Sequence, residues 1–228
     1  MKKQMLLILS LVGFALFFGG AAVYASMPKG DYFEEKGSKV AVILAHGRGQ
    51  NPDGLVVGSL RKDIHKELGF HTLSLQMPDP RVDSPDAPAL AAAFPEAYQR
   101  IQAAIDFLKK EKGVERIYLM GHSMGGRMTS AFLVNSPNAG VVGFIGVGLM
   151  GGGKPPVNTN FNLIDIKIPV IDVYAENDTD AKFAEFRKRF VSGRFVQVPV
   201  PGASHNFRGY EKPVADAVIG WLKKQEAK

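Results

Sequence analysis

Residues 117–126 read IYLMGHSMGG, and this stretch decides the fold expected of the chain. An apolar run leads into it, and a helix-forming stretch over 124–135 follows it. Between them stands Ser123, flanked by Gly121 and Gly125, which leave room around a serine held on a sharp strand-to-helix turn. A bare G-x-S-x-G pattern is weak, but the strand, the helix and a second following glycine favour a nucleophile elbow. The alternative is an ordinary Gly-rich turn whose serine caps the next helix.

Strand and helix patterns alternate from Lys39 to the end of the chain. Short apolar runs are typical of strands buried on both faces of a parallel sheet. The runs predicted as strands are 39–45, 70–75, 114–120, 141–147, 170–174 and 195–200, and helices are predicted between Pro52 and Leu68 and over 96–112, 124–135, 181–190 and 214–224. The proline-rich stretch 77–95 is expected to be mostly irregular loop. This order predicts a three-layer α/β/α sandwich with a mostly parallel, doubly wound sheet.

A general base for Ser123 is found by elimination. A serine hydroxyl is a poor nucleophile and needs a base oriented by a third group. After this type of turn, the expected chain order is serine, then acid, then histidine. His205 is the only histidine after Ser123, and it lies in a small-residue loop directly after the last predicted strand. We therefore predict His205 as the base, with a solvent-facing loop histidine as the alternative.

The orienting acid is sought in the turn after the strand at 170–174. This turn offers three carboxylates, those of Glu176, Asp178 and Asp180. We predict Asp178, because a few turn residues are needed to carry the acid over the edge of the sheet. Glu176 and Asp180 remain alternatives, and Asp178 or Asp180 would otherwise only cap the helix that begins near residue 181.

Acyl-transfer chemistry also needs donors for a tetrahedral oxyanion. One is expected from the N–H of the residue after the nucleophile, here Met124. The second is expected from the turn HGRG at 46–49, where the N–H of Arg48 is predicted and Gly49 lies nearby. His46 is interpreted as structural, and the Arg48 side chain as solvent-exposed or, alternatively, as attracting an anionic substrate.

Composition limits the classes of function. The chain has 228 residues, 46% hydrophobic and 22% charged, which suits one globular domain. The net charge is +6. The Lys and Arg residues of the chain are scattered among acids, as on a solvated helix face, so nucleic acid is not an expected partner. No cysteine is present, which excludes a lipoprotein anchor. No metal or cofactor is implied by the residues.

The first residues resemble an export signal. Lys2 and Lys3 precede an apolar run over 5–18, and small residues then lead to a predicted cleavage after Ala25. The rival interpretation is an uncleaved inner-membrane anchor over 5–25, which would give membrane association. Export predicts a periplasmic or secreted protein. The expected parts are a signal peptide or anchor at 1–25, a linker or ragged first strand at 26–38, and one domain at 39–228.

Taken together, the motifs HGRG at 46–49, GHSMGG at 121–126, YAEND at 174–178 and GASH at 202–205 resemble the α/β-hydrolase superfamily. The resemblance covers nearly all of the chain after the leader, and it is most similar to small exported bacterial members without an assigned substrate. It implies an oxyanion loop, a nucleophile elbow, an acid after the seventh strand and a final-loop histidine at these motifs. The usual glycine of the acid turn is Ala175 here, a departure from the pattern.

The resemblance also implies a function. About 20 residues between the sixth and seventh strands of the superfamily pattern, 149–168, are too few for a helical cap, so an open site is expected. A lid-poor hydrolase of small carboxylic esters or thioesters is the expected function. The alternatives are a peptidase or amidase with the same three residues, and a non-catalytic binding protein on the same fold.

Overall fold

The computed structural model describes residues 25–81, 84, 86–190 and 192–228. The predicted leader therefore lies outside the described residues, apart from Ala25. Among the helices that are described, none combines the length and the apolar character needed to cross a bilayer.

Seven strands and seven α-helices lie within the described residues. The strands are β1 Gly30–Phe33, β2 Val40–Ala45, β3 His71–Leu75, β4 Arg116–His122, β5 Val141–Val147, β6 Val170–Ala175 and β7 Phe195–Val200. The helices are α1 Leu55–Leu68, α2 Pro88–Ala92, α3 Phe94–Lys112, α4 Met124–Asn135, α5 Thr159–Asp165, α6 Ala181–Arg187 and α7 Glu211–Glu226, and a 3₁₀ turn covers Lys188–Phe190.

The strands form one sheet in the order β1-β3-β2-β4-β5-β6-β7. Strand β1 pairs with β3 in the antiparallel sense, and every other pair is parallel. The predicted mostly parallel, doubly wound sheet is confirmed.

Both faces of the sheet are buried, and β2 shows why. Ala41, Ile43 and Ala45 belong to one hydrophobic cluster, whereas Val42 and Leu44 belong to the other, and all five are 0% exposed. Since successive strand residues point to opposite faces, a continuous apolar run serves two cores at once. Helices α1 and α7 pack together on one face, and α3 and α4 on the other with α2 and α5 beside them, which gives the predicted three layers.

The expectations for 77–95 and 26–38 are confirmed in part. The stretch 77–95 is not all irregular, because it contains α2 and the first turn of α3. Pro88 and Pro95 stand in the first turns of these helices, where the missing N–H has no intrahelical acceptor to lose. Of the two interpretations of 26–38, the linker is wrong and the ragged first strand is right, because β1 adds an antiparallel edge to the sheet. Its residues are only half-buried, so they lack the apolar run that marked the other strands.

The topology brings four chain segments to one edge of the sheet. In a parallel sheet, loops after the carboxyl ends of the strands share one side, and ligands bind there. The turn at Arg48 follows β2, Ser123 follows β4, Asp178 follows β6 and His205 follows β7.

Candidate active site

Ser123 lies on a strained turn between β4 and α4. Its backbone has φ 53° and ψ −117°, a left-handed conformation that non-glycine residues rarely adopt. The neighbouring Gly125 allows the turn to close against β2, because a Cβ there would lie 2.2 Å from the Ala45 carbonyl oxygen. The surrounding packing therefore holds Ser123 in a conformation that its own side chain disfavours.

Ser123, His205 and Asp178 form a continuous hydrogen-bonded chain. The distance from Ser123 Oγ to His205 Nε2 is 2.9 Å, and His205 Nδ1 lies 2.6 Å from Asp178 Oδ2. Because an ionised carboxylate only accepts hydrogen bonds, Nδ1 carries the proton and donates to Asp178. Nε2 is then the acceptor for the Ser123 hydroxyl. The three predicted residues are brought together.

Asp178 is the carboxylate of the acid turn that bonds His205. Its other oxygen, Oδ1, accepts the N–H of Asp180 at 3.0 Å, which fixes the carboxylate plane. Glu176 is exposed, and Asp180 stands at the helix N-terminus without a side-chain capping bond. The capping alternative for Asp180 finds no support in the structure, whereas Asp178 bonds both the turn and the imidazole.

The contact between His205 and Asp178 shifts the pKa of each side chain. Hydrogen bonding to Asp178 raises the pKa of His205, and this outweighs the opposing effect of burial. Burial tends to raise the pKa of Asp178, but its hydrogen bonds from His205 and from the Asp180 N–H lower it on balance. The carboxylate thus stays ionised and favours the imidazolium that forms when His205 takes a proton.

The acid and histidine turns are joined directly. The N–H of Asn177 donates to the Ala203 carbonyl at 2.9 Å, and its side-chain Nδ2 donates to the Gly202 carbonyl at 3.3 Å. In the histidine loop, Phe207 has φ 52° and is 1% exposed. A strained, buried aromatic and two cross-loop bonds leave the position of His205 little freedom.

His122 supports the same loop from beneath and was not predicted. Its Nε2 lies 3.2 Å from the His205 carbonyl oxygen, which makes it a donor to the backbone of the histidine loop. Burial and the neighbouring His205 lower the pKa of His122 to about 4. A neutral ring beside His205 avoids repelling the imidazolium. Its place inside the GHSMGG motif was the signal that sequence reasoning left unused.

The predicted oxyanion donors border the same cavity as Ser123. This open cavity has a volume of about 380 Å³, and its wall includes Gly47, Arg48 and Met124. Met124 begins α4, so its N–H has no acceptor within the helix. Gly47 fits closely, since a Cβ there would lie 3.0 Å from His122 Nδ1 and 3.1 Å from the Ser123 Cβ. Arg48 is exposed at the rim.

His46 is structural in this fold, in agreement with its interpretation from the sequence. Its Nδ1 lies 2.8 Å from the Gly47 carbonyl oxygen, and its Nε2 accepts the N–H of Met77 at 3.0 Å. Burial lowers its pKa, so the neutral ring bridges the turn after β2 to the chain beyond β3.

Two further residues of the cavity wall were missed. Arg127, one helical turn after Ser123, is 3% exposed and donates to the carbonyls of Gly151, Gly152 and Val157. The loop that it fixes carries Met150, whose sulfur lies 3.3 Å from Ser123 Oγ. The rule that ligands bind at carboxyl ends of strands pointed to this loop after β5.

One group of side chains has metal-ligand character within the described part of the chain. Asp178, Asp180 and His205 each place a ligand atom within 4.8 Å of the others. His205 Nδ1 already donates to Asp178, so a cation there would compete with the hydrogen bond that orients the imidazole.

The strained serine, the histidine behind it and the parallel sheet beneath them define an α/β-hydrolase fold. The chain belongs to the family described as "Alpha/beta hydrolase domain", whose model matches residues 38–216.

Relatives and solved structures agree with this membership. Esterase EstD from Thermotoga maritima is 31% identical over 121 residues, which are 51% of this chain and 28% of that esterase. The match thus spans little more than a quarter of that relative. Est1E from Butyrivibrio proteoclasticus superposes with a TM-score of 0.66 at 18% identity, covering 86% of this chain and 90% of that one. A serine hydrolase without a lid from Xanthomonas campestris gives 0.64 at 14% identity, covering 82% of each chain.

Proposed function

We propose that the protein is a serine hydrolase that cleaves carboxylic esters or thioesters through an acyl-enzyme. Ser123 is the nucleophile, His205 the general base and Asp178 the orienting acid. The observation that carries this proposal is the unbroken chain of two hydrogen bonds from Ser123 through His205 to Asp178, at 2.9 and 2.6 Å. It ends at the wall of an open cavity, where a substrate carbonyl has access to the hydroxyl.

In the acylation step, Ser123 Oγ attacks the carbonyl carbon while its proton passes to His205 Nε2. The carbonyl oxygen becomes an oxyanion, which accepts the N–H groups of Met124 and Arg48. The intermediate then collapses as the bond to the leaving group breaks, and His205 returns the proton to the leaving oxygen or sulfur. Asp178 stabilises the imidazolium throughout without itself taking the proton.

In the deacylation step, water replaces the leaving group. The oxygen of the water attacks the acyl carbon while His205 takes a proton from that water. The N–H groups of Met124 and Arg48 stabilise the second oxyanion. Collapse breaks the bond to Ser123 Oγ, which recovers its proton from His205, and the carboxylic acid is released. Since preorganised donors of this kind each contribute about 2.7–4 kcal/mol, the two N–H groups matter almost as much as the side chains.

The similar proteins support esters as the substrates. EstD is named as an esterase, and one structure of Est1E holds ferulic acid. The short connection between β5 and β6 carries only the seven-residue helix α5, which packs on α4 rather than over the cavity. This agrees with an open site that admits substrate without a lid.

A fluorophosphonate probe tests the nucleophile directly. We expect mass spectrometry of the digested protein to find one adduct, on Ser123, and none in protein unfolded before labelling. Labelled protein should no longer hydrolyse 4-nitrophenyl acetate. A folded protein without an adduct at Ser123 would favour the non-catalytic binding protein.

Matched esters and amides separate the two enzymatic alternatives. We expect 4-nitrophenyl acetate to be cleaved and 4-nitroacetanilide to be cleaved much more slowly, beyond the difference in their uncatalysed rates. A comparable enhancement for the anilide would favour the peptidase or amidase.

We further propose that the protein is exported, on the strength of the charged, apolar and small-residue pattern at 1–25. Mass spectrometry of the protein from its native envelope should find Ser26 as the first residue. Retention of the leader with the membrane fraction would instead support the anchor.

A further inference from the structure

Two cavities meet beside His205. The larger, about 380 Å³, contains the Ser123 hydroxyl, and a second of about 230 Å³ adjoins it. Both are bordered by Gln50, His122 and Asn206. The space open to a substrate therefore continues from the first cavity past His205, along the side chain of Asn206.

This continuation borders the loop of His205, the residue that serves the leaving group. In acyl transfer, His205 returns a proton to the leaving oxygen, so that oxygen must lie within hydrogen-bond reach of Nε2. Asn206 is the next residue along, and it borders both cavities. The second cavity is thus the place for the alcohol part of an ester.

Polar side chains without partners line this side. Within the part of the chain that the structure describes, the side chains of Gln50, Asn206 and Arg208 make no hydrogen bond or ion pair. All three border the second cavity. Amide and guanidinium groups in this setting offer several donors and two acceptors to a bound molecule. An alcohol bearing several hydroxyl groups can replace the water that these side chains bind, whereas an alkyl alcohol displaces water without replacing its hydrogen bonds.

Met150 narrows the space next to the nucleophile. Met150 Sδ lies 3.3 Å from Ser123 Oγ, and its loop is fixed by three hydrogen bonds from buried Arg127. An acyl chain that passes over Met150 contacts this side chain next to the reacting carbon. Because Arg127 holds the loop, Met150 stays next to the Ser123 hydroxyl, an arrangement that favours a short acyl group.

Resting on the function proposed above, we infer that the substrates are short acyl esters of polyhydroxylated alcohols, with acetylated sugars as the chemical class. The acyl side specifies the acyl half of this class, and the polar alcohol side specifies the alcohol half. Neither depends on which carboxylate orients His205.

Two matched substrate pairs test the inference in the wild-type protein. The acyl side is tested with 4-nitrophenyl acetate and 4-nitrophenyl octanoate. The alcohol side is tested with methyl 6-O-acetyl-glucopyranoside and cyclohexylmethyl acetate, which share a ring and a primary acetate but differ in hydroxyl groups. With each kcat/KM divided by the alkaline hydrolysis rate, we expect at least about tenfold preference for acetate over octanoate and for the sugar ester over its apolar match.

Variants assign these preferences to residues. Asn206→Ala and Gln50→Ala should each reduce the preference for the sugar ester by up to about tenfold, the effect of one lost hydrogen bond. Met150→Ala should raise the octanoate-to-acetate ratio by about tenfold or more. Gln102→Ala, on the exposed face of α3 away from both cavities, is the control and should leave both ratios unchanged.

The possible failures are distinguishable. A preference for octanoate or for cyclohexylmethyl acetate, with Ser123 still labelled by the fluorophosphonate, overturns this inference and leaves the serine hydrolase intact. If none of the four esters is hydrolysed while Ser123 is still labelled, the inference about the substrate class is likewise overturned and the serine nucleophile is not. Absence of labelling overturns the proposed function, and the substrate class falls with it.

Discussion

Strand β6 and the turn after it each hold a carboxylate paired with a basic side chain, and the two pairs differ in setting. Asp172, within the strand, lies 2.8 Å from Arg187 Nε, and both side chains are 0% exposed. Asp178, just beyond the strand, lies 2.6 Å from His205 Nδ1, and the side chains are 7% and 30% exposed. One pair is closed in the protein interior, and the other stands at the wall of a cavity.

The hydrogen bonds of the buried pair are all used within the protein. Asp172 also accepts from Gln197 Nε2 at 2.9 Å, and Arg187 Nη1 donates to Asn160 Oδ1 at 3.0 Å. A guanidinium keeps its proton at any ordinary pH. In the open pair, by contrast, the imidazole can exchange a proton, and its second nitrogen faces Ser123. The comparison teaches that a charged pair supports catalysis only where one partner titrates and the substrate has access to it.

The largest effect expected is on Ser123. Ser123→Ala removes the nucleophile but leaves the His205–Asp178 pair, so we expect kcat for 4-nitrophenyl acetate to fall by about 10⁴–10⁶. The free energy of unfolding should change little, because the hydroxyl is replaced by hydrogen in a small, partly accessible site.

Ser204→Ala is the matched control for this variant. Ser204 is exposed in the loop beside His205, and its substitution should leave the turnover of the same ester near the wild-type rate. If Ser123→Ala kept more than a tenth of the wild-type rate, the assignment of the nucleophile would be wrong.

Asp178→Asn should give the next largest effect. The asparagine amide would donate to Nδ1 and place the imidazole proton on Nε2, which then cannot accept from Ser123, so kcat should fall by about 10⁴. Hydrogen bonding to Asp178 raises the pKa of His205, so kcat/KM in the wild type should fall, as pH decreases, at a higher pH than an unperturbed imidazole would give. In the variant, this acid limb should move to lower pH.

Glu176→Gln and Asp180→Asn serve as controls for the acid. Glu176 is exposed and makes no bond to His205, so its loss should have the smaller effect. Asp180 also contributes to the raised pKa of His205, so its variant should shift the acid limb slightly while keeping most of the rate. A full loss of activity in either one, with Asp178→Asn active, would transfer the acid role.

The sequence predicted the open pair and missed the buried one, for a physical reason. Ser123, Asp178 and His205 each follow an apolar strand, and loops at one edge of a parallel sheet must meet, so their proximity follows from topology. Asp172 is a polar residue inside an apolar strand. Arg187 is a cation at the end of a helical pattern. Nothing in local periodicity tells whether two such groups face each other.

The same distinction explains the rest of the site. His122 and Met150 take their roles from side-chain directions across the sheet edge, which a linear pattern does not encode. Strand β1 could be predicted only as an alternative to a linker, because an edge strand with half-buried residues lacks the apolar run of a central strand. Motifs therefore predicted the catalytic candidates, and only the packing revealed the residues around them.

Arg187→Met tests the structural side of the comparison. Removing one partner leaves the Asp172 charge buried without its cation, so we expect the free energy of unfolding to fall by about 3–5 kcal/mol. Activity of the folded fraction at low temperature should stay near the wild type, because neither residue borders the cavity. Arg189→Met, at an exposed arginine two residues on, should cost less than about 1 kcal/mol in chemical denaturation. Equal losses in the two variants would mean that the buried pair contributes no special stability.

The smallest effect expected concerns His122, which lies beneath the open pair. Its ring is 3% exposed, and burial together with the neighbouring His205 lowers its pKa from the usual 6.5 to about 4. Between these two pH values, His122 is protonated in the unfolded chain but neutral in the folded protein. Stability contributed by this group is therefore complete above pH 6.5 and is lost as pH falls toward 4.

His122→Gln isolates this contribution, because the glutamine amide can still donate to the His205 carbonyl but does not titrate. From pH 8 to pH 5, the wild type should lose about 2 kcal/mol more of its unfolding free energy than the variant loses, as measured by urea denaturation at each pH. Equal losses would show that the His122 ring accepts a proton in the folded state. An imidazolium at position 122 would then face His205. The basic partner of the open pair would have a second titrating histidine next to it at these pH values.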